Sequence, residues 1–224
     1  MQPDLLSIAL GVIVVLIFMA MFTLLRTMNS PFIVRFESIL HGKIEKLQQY
    51  ANCYCIKFIV DGREFELLEV KHKTNQGQGT VYNDFIFLRT RSQKIFSLRF
   101  CDVFNEKKIK FVLDEVFESG TGKEFFQIPP LNFDEFFKEF KILTDNSDVG
   151  REFLRNQEAV AVLKNFKMSL GVYGVVLPVR IQDGIITMDY SLLDRHLNEL
   201  VTNPRSIKNH IALLGKLAEE VDRL

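Results

Sequence analysis

The chain has 224 residues and carries 28 Lys and Arg against 28 Asp and Glu, so it has no net charge at neutral pH. That balance excludes the broad basic field with which proteins approach nucleic acid. Its three cysteines, an odd and irregularly spaced set, argue against the disulfide framework of a small secreted domain.

Leu5–Leu25 reads LLSIALGVIVVLIFMAMFTLL and has no charged residue. A helix of that length covers roughly 30 Å, the thickness of the hydrocarbon core of a bilayer. In lipid such a run satisfies its backbone polar groups only as a helix. A cleavable signal would need a basic n-region and a shorter apolar core, and Met1–Asp4 holds no Lys or Arg. A permanent anchor fits better. Arg26, Arg35 and Lys43 follow the run, so the positive-inside rule places the body in the cytoplasm and the N-terminus outside.

Ser30-Pro31 has the form of a helix cap followed by a first helical residue. Phe32, Ile33, Phe36, Ile39, Leu40, Ile44 and Leu47 then recur at helical spacing, which predicts an amphipathic helix of about four turns. Its polar face mixes acids and bases, so the apolar stripe is expected to pack on the body rather than lie in the headgroups.

From Cys53 the period becomes two. CYCIKFIV, Asp61-Gly62 and REFELLEV form a β-hairpin pattern, because Asp-Gly supplies the two left-handed residues of a tight turn. HKTNQGQGT (72–80) is expected to be a polar loop. VYNDFIFLRT and KIFSLRF follow as strands joined near Arg91–Gln93, and Ile109, Phe111 and Leu113 mark a fifth strand before a turn at Ser119–Gly122.

Pro129-Pro130 marks a boundary. The Phe-rich stretch after it suits helix or strand. Asn146–Asp148 caps a helix running through Phe153, Leu154, Val160, Leu163 and Phe166. Val175, Leu177, Val179 and Ile181 alternate as a strand with Pro178 facing the other way, expected at an edge or outward. Asp183-Gly184 turns the chain into IITMDY. Ser191 caps a helix to about Val201, and a last helix carries Ile207, Ile211, Leu214, Ala218 and Val221, expected to dock on its own domain.

The chemical motifs are poor. Ser119–Lys123 (SGTGK) has Phe117 where a phosphate loop needs its first Gly and Glu124 where it needs a hydroxyl, so a turn is the better reading. Gly77–Thr80 after Lys71, His72 and Lys73 lacks a dinucleotide-binding context, yet it is the place where the body would touch anionic lipid or a partner. Cys53 and Cys55 share one strand face; with Cys101 and a histidine they do not have zinc-site spacing. His41, His72, His196 and His210 are scattered, and Asp194–His196 points three ways around a helix. Asp134-Glu135 and Glu219-Glu220 are read as solvated helix surface. No catalytic, cofactor-binding or metal-ligating residue is assigned.

FFKEFKILTDNSDVGREFLRN, then VVLPVRIQDGIITMDY, then LLGKLAEEVDRL resembles a bacterial family of membrane-anchored proteins of unknown function, over about residues 131–224. In that family a Phe-rich segment leads through a junction like Thr144-Asp145 into a helix, an Asp-Gly hairpin and a terminal helix. The resemblance implies a bacterial envelope protein with no assigned activity.

The expected fold is α+β: a single N-terminal transmembrane helix (1–29), an amphipathic linker helix (30–50), an antiparallel hairpin-rich β lobe (51–128) and an α+β lobe with C-terminal helices (129–224). The expected function is a single-pass membrane-anchored interaction module, scaffold or accessory subunit. Its contacts would be the bilayer through Leu5–Leu25 and a protein partner, or a second copy, through Ile207–Val221 or Phe32–Leu47. The alternative is a small-ligand or lipid-headgroup sensor with a pocket between the lobes. An enzyme of unrecognised type is the weakest reading, since no catalytic motif is found.

Overall fold

The computed structural model describes residues 13, 17–19, 33, 36–47, 53–76, 79–102, 124–129, 133–169, 177–190 and 204–224. Nine strands form one antiparallel sheet: β1 (Lys43–Leu47), β2 (Cys53–Val60), β3 (Arg63–Gln76), β4 (Gly79–Arg91), β5 (Leu98–Asp102), β6 (Phe126–Ile128), β7 (Phe140–Thr144), β8 (Val179–Gln182) and β9 (Ile185–Asp189). Their order is β1-β2-β3-β4-β9-β8-β5-β7-β6. The helices are α1 (Glu37–Leu40), α2 (Ser147–Arg155), α3 (Gln157–Ser169) and α4 (Pro204–Asp222).

The expected α+β class with an antiparallel sheet is therefore what the chain forms. Strands from both the 51–128 and the 129–224 stretches lie in one sheet, because β4 pairs with β9 in register from Phe87–Asp189 to Arg91–Ile185. Alternation sends Ile56, Phe65, Leu67, Ile86, Leu88, Met188, Ile181 and Phe100 to one face. There they meet Phe153 of α2, Phe166 of α3 and Leu214 and Val221 of α4 in one core. Each such side chain contributes about 1.5–3 kcal/mol on burial.

The Phe-rich stretch resolves into both of its alternatives. Glu135–Glu139 is a 3-10 turn whose cap, Asp134, accepts from the Phe136 N–H, and β7 follows at once. Phe100 stacks on Phe137 at 5.9 Å and meets Phe140 edge-on at 6.0 Å. The helix capped by Asn146, whose side chain accepts from the Val149 N–H, is broken at Asn156 into α2 and α3. Asn156 is itself a cap, accepting from Glu158 and Ala159 N–H.

Four expectations are corrected. The helix expected over 30–50 ends at Leu40: His41 takes a left-handed conformation, and Lys43–Leu47 is the edge strand β1. This course requires glycine at 42, since a Cβ there would lie 2.3 Å from Ile56 Cγ2 and 2.6 Å from the Lys57 carbonyl oxygen. Ile33, Phe36 and Leu40 pack in the core, as expected for the apolar stripe. The loop 72–80 is mostly strand, with β3 and β4 paired to Gln76 opposite Gly79. KIFSLRF is not the partner of the strand before it: β5 starts at Leu98 and pairs with β7 and β8. Pro178 is neither outward nor on an edge strand; it is buried just before β8, its carbonyl accepting from the Asp189 N–H at 2.7 Å.

Among the described residues no helix is long and apolar enough to cross a membrane. Leu5–Leu25 lies outside the described residues except for Ile13 and Ile17–Met19, which are helical. The strand at 109–117, the Ser119–Lys123 turn, Val175 and the helix from Ser191 also lie outside them.

Candidate functional site

Both Asp-Gly turns form as read. Asp61 and Gly62 have φ of 51° and 77°, and Asp183 and Gly184 have 51° and 76°, positive at both central positions as a type I′ hairpin requires. At Gly184 a side chain is also excluded by contact, since a Cβ would lie 2.8 Å from the Lys94 carbonyl oxygen.

Beside the first turn a cleft of about 520 Å³ opens between the β2–β3 hairpin, the end of β4 and α4. Val60, Phe65 and Ile211 give it an apolar floor, and Arg91, Lys216 and Glu219 stand at its exposed rim. Asp222 closes one end. One carboxylate oxygen accepts from Arg63 Nη2 at 2.7 Å; the other accepts from Ser92 Oγ at 2.7 Å and the Gln93 N–H at 2.6 Å. Arg63 Nη1 donates to the Arg91 carbonyl at 2.7 Å, and Lys94 Nζ to that of Leu224 at 2.9 Å. Burial alone would raise the Asp222 carboxyl, but the bonds from Arg63, Ser92 and Gln93 outweigh it and hold the group below the usual carboxylate range.

The cleft thus joins the first half of the chain to its last helix. Both Asp222 oxygens accept hydrogen bonds, one of them from the Ser92 hydroxyl, and the apolar floor with its charged rim is an arrangement that can bind.

The opposite face of the sheet carries a row with one residue from every strand, polar except at Leu143: Lys43, Lys57, Glu66, Arg89, Thr187, Arg180, Arg99, Leu143 and Gln127, in strand order. Glu66 accepts from Arg89 Nε at 2.6 Å, and Lys57 lies 3.7 Å from Glu45. The Arg99 guanidinium sits 4.2 Å from the Phe125 ring centre. Sequence reading missed this row, because it is assembled across strands distant in the chain.

The other sequence candidates fall apart. Cys53 and Cys55 are buried with Leu68, Val70 and Phe87, as small apolar residues are. Burial pushes their thiols up to about 11 and about 12. Cys101 is on β5, five strands away in the sheet, or roughly 24 Å at ordinary strand spacing, so the three cysteines do not form one site. Among the described residues no group of three or more His, Cys, Asp or Glu could hold a metal ion. His210 is buried and its Nδ1 lies 3.1 Å from the Tyr190 hydroxyl. His41 ends α1, and His72 is on β3 opposite Asn83. Gly79 and Thr80 start β4, whereas Gly77, Gln78, Ser119–Lys123 and Asp194–His196 lie outside the described residues.

In each acidic pair one residue is exposed as expected, Glu135 and Glu219, and the other is not. Asp134 caps the 3-10 turn and pairs with Lys164 at 2.9 Å, which holds its carboxyl below the usual range. Glu220 is buried and accepts from Asn156 Nδ2 at 3.0 Å and from Arg223.

Comparison with protein-family models, characterised proteins and solved structures finds no match to this chain.

Proposed function

We propose that this chain is a single-pass membrane-anchored interaction module, an accessory subunit or scaffold whose body stands on the cytoplasmic side. The observation that carries the reading is the exposure of Ile13, Ile17, Phe18 and Met19, helical residues of the apolar run that leave 53%, 56%, 71% and 64% of their surface uncovered. A soluble helix has no reason to present such a surface, whereas lipid covers it. The bacterial envelope setting implied by the resemblance belongs to the same proposal.

The partner surface is the cleft beside Asp222. The two helical stripes first considered are engaged within the chain: Ile207, Ile211, Leu214, Ala218 and Val221 are buried, as are Ile33, Phe36 and Leu40. The cleft combines an apolar floor with a charged rim, the anatomy of a small interface. Crosslinking the full-length chain in its own membranes, then recovering it, tests the reading. A stoichiometric partner whose recovery falls on Ala212→Trp, which fills the cleft, supports it; recovery of a monomer alone overturns it. Its concavity also favours a second reading, a small-ligand sensor, and saturable thermal stabilisation by a metabolite, lost in Ala212→Trp, would support that instead.

A further inference from the structure

Among the described residues the β3–β4 hairpin runs past the strands that flank it. β2 pairs with β3 only as far as Cys53 opposite Val70, and β9 pairs with β4 only as far as Asp189 opposite Phe87. β3 and β4 stay in register to Gln76 opposite Gly79. Six residue pairs, from Lys71–Asp84 to Gln76–Gly79, therefore make a two-stranded arm with no third strand among the described residues. At about 3.3 Å per residue it reaches roughly 20 Å past the sheet.

The arm leaves from the rows at which the chain enters the body. The buried Ile33 N–H donates to Glu69, two positions before Lys71. Only Arg26–Phe32 separates the apolar run from Ile33, a link of at most about 25 Å when fully extended. The tether and the arm thus start beside one another and have similar reach, while the cleft and Asp222 belong to the other end of β3. Lys71 and Lys73 fall on one face of the arm with Tyr82, the register partner of Lys73. The arm's single acid, Asp84, is at its base, opposite Lys71.

We propose that this arm is a membrane-docking element that brings Lys71, Lys73 and Tyr82 to the headgroups of an anionic bilayer. The inference rests on the anchoring reading above. Lysine near an anionic surface strengthens binding roughly fivefold each, too little for two of them to recruit a soluble protein. A tethered chain needs no recruitment, because its effective concentration at the surface is already high. The arm therefore sets the orientation of the body rather than its attachment, and turns the cleft away from the bilayer. Lysine and tyrosine suit that place, each having an apolar body and a polar tip.

The native chain has no tryptophan, so Tyr82→Trp in the full-length protein gives a lone indole on the arm, and Thr80→Trp repeats the measurement without replacing an aromatic residue. Each is reconstituted in vesicles of brominated phosphatidylcholine, with and without phosphatidylglycerol, and washed at alkaline pH. The expected result is quenching in the anionic vesicles that falls severalfold without phosphatidylglycerol and on Lys71→Glu with Lys73→Glu. Indoles that stay unquenched in washed anionic vesicles overturn the arm proposal alone, as does quenching indifferent to the charge of lipid and arm. Protein removed by the wash overturns the anchoring reading, and the arm proposal with it.

Discussion

The backbone N–H of Ile33 is held by the carboxylate of Glu69 at 2.8 Å, in a place where both residues are fully buried. A carboxylate without exposure is expensive unless hydrogen-bonded. Here it fixes the chain where it joins the sheet. Glu69→Leu, which removes the acceptor, is expected to lower stability by about 1–3 kcal/mol and to speed tryptic cleavage at Arg35. Glu69→Gln keeps an acceptor oxygen and is expected to lose less; equal losses would assign Glu69 a purely electrostatic role.

Asp222 makes a prediction in pH. Its folded carboxyl lies below the usual range despite its burial, because Arg63, Ser92 and Gln93 bond the charged form. The native state therefore binds this proton less readily than the unfolded chain. The stabilisation is fully present above the unfolded value, about 4, and is lost as pH falls through the folded one. Urea unfolding across that window is expected to show a weaker acid dependence in Asp222→Asn than in the parent. Identical profiles would contradict the clamp.

Cys53 and Cys55 are expected to resist alkylation in the folded protein at pH 8. The nucleophile is the thiolate, and burial pushes the two thiols up to about 11 and about 12. Both should react promptly in denaturant, as peptide mass spectrometry would show. Fast modification of the native protein would mean that this side of the sheet opens.

Gly42→Ala is expected to destabilise by about 1–3 kcal/mol through overpacking against Ile56 and the Lys57 backbone. A neutral effect, measured by chemical denaturation, would show that the β1–β2 edge shifts freely. Tyr190→Phe should cost about 1 kcal/mol, the net value of its buried bond to His210.

Local signals in the sequence were reliable wherever two residues settle the backbone. Asp61-Gly62 and Asp183-Gly184 dictate hairpins, Asn146 a helix start, and the spacing of Ile207–Val221 a docked helix. What escaped depends on contacts between distant segments. Lys43–Leu47 keeps helical spacing, yet it forms a strand because Gly42 packs against the backbone at Lys57 and β2 offers an edge. The interposition of β9 and β8 between β4 and β5 has no local signature either. The cleft was foreseeable only as a space between two halves of the chain. Asp222 and Arg63, 159 residues apart, gave no sign of each other.

The most direct test is alkaline carbonate extraction of membranes carrying the full-length chain, beside a variant with Val14→Asp and Phe18→Asp. Two acids at the centre of the run raise the cost of insertion by roughly 5–7 kcal/mol. The expected result is a parent chain retained in the washed membrane pellet and a variant released. Release of the parent under the same wash would contradict the anchor, and with it the reading of this protein as a membrane-held module.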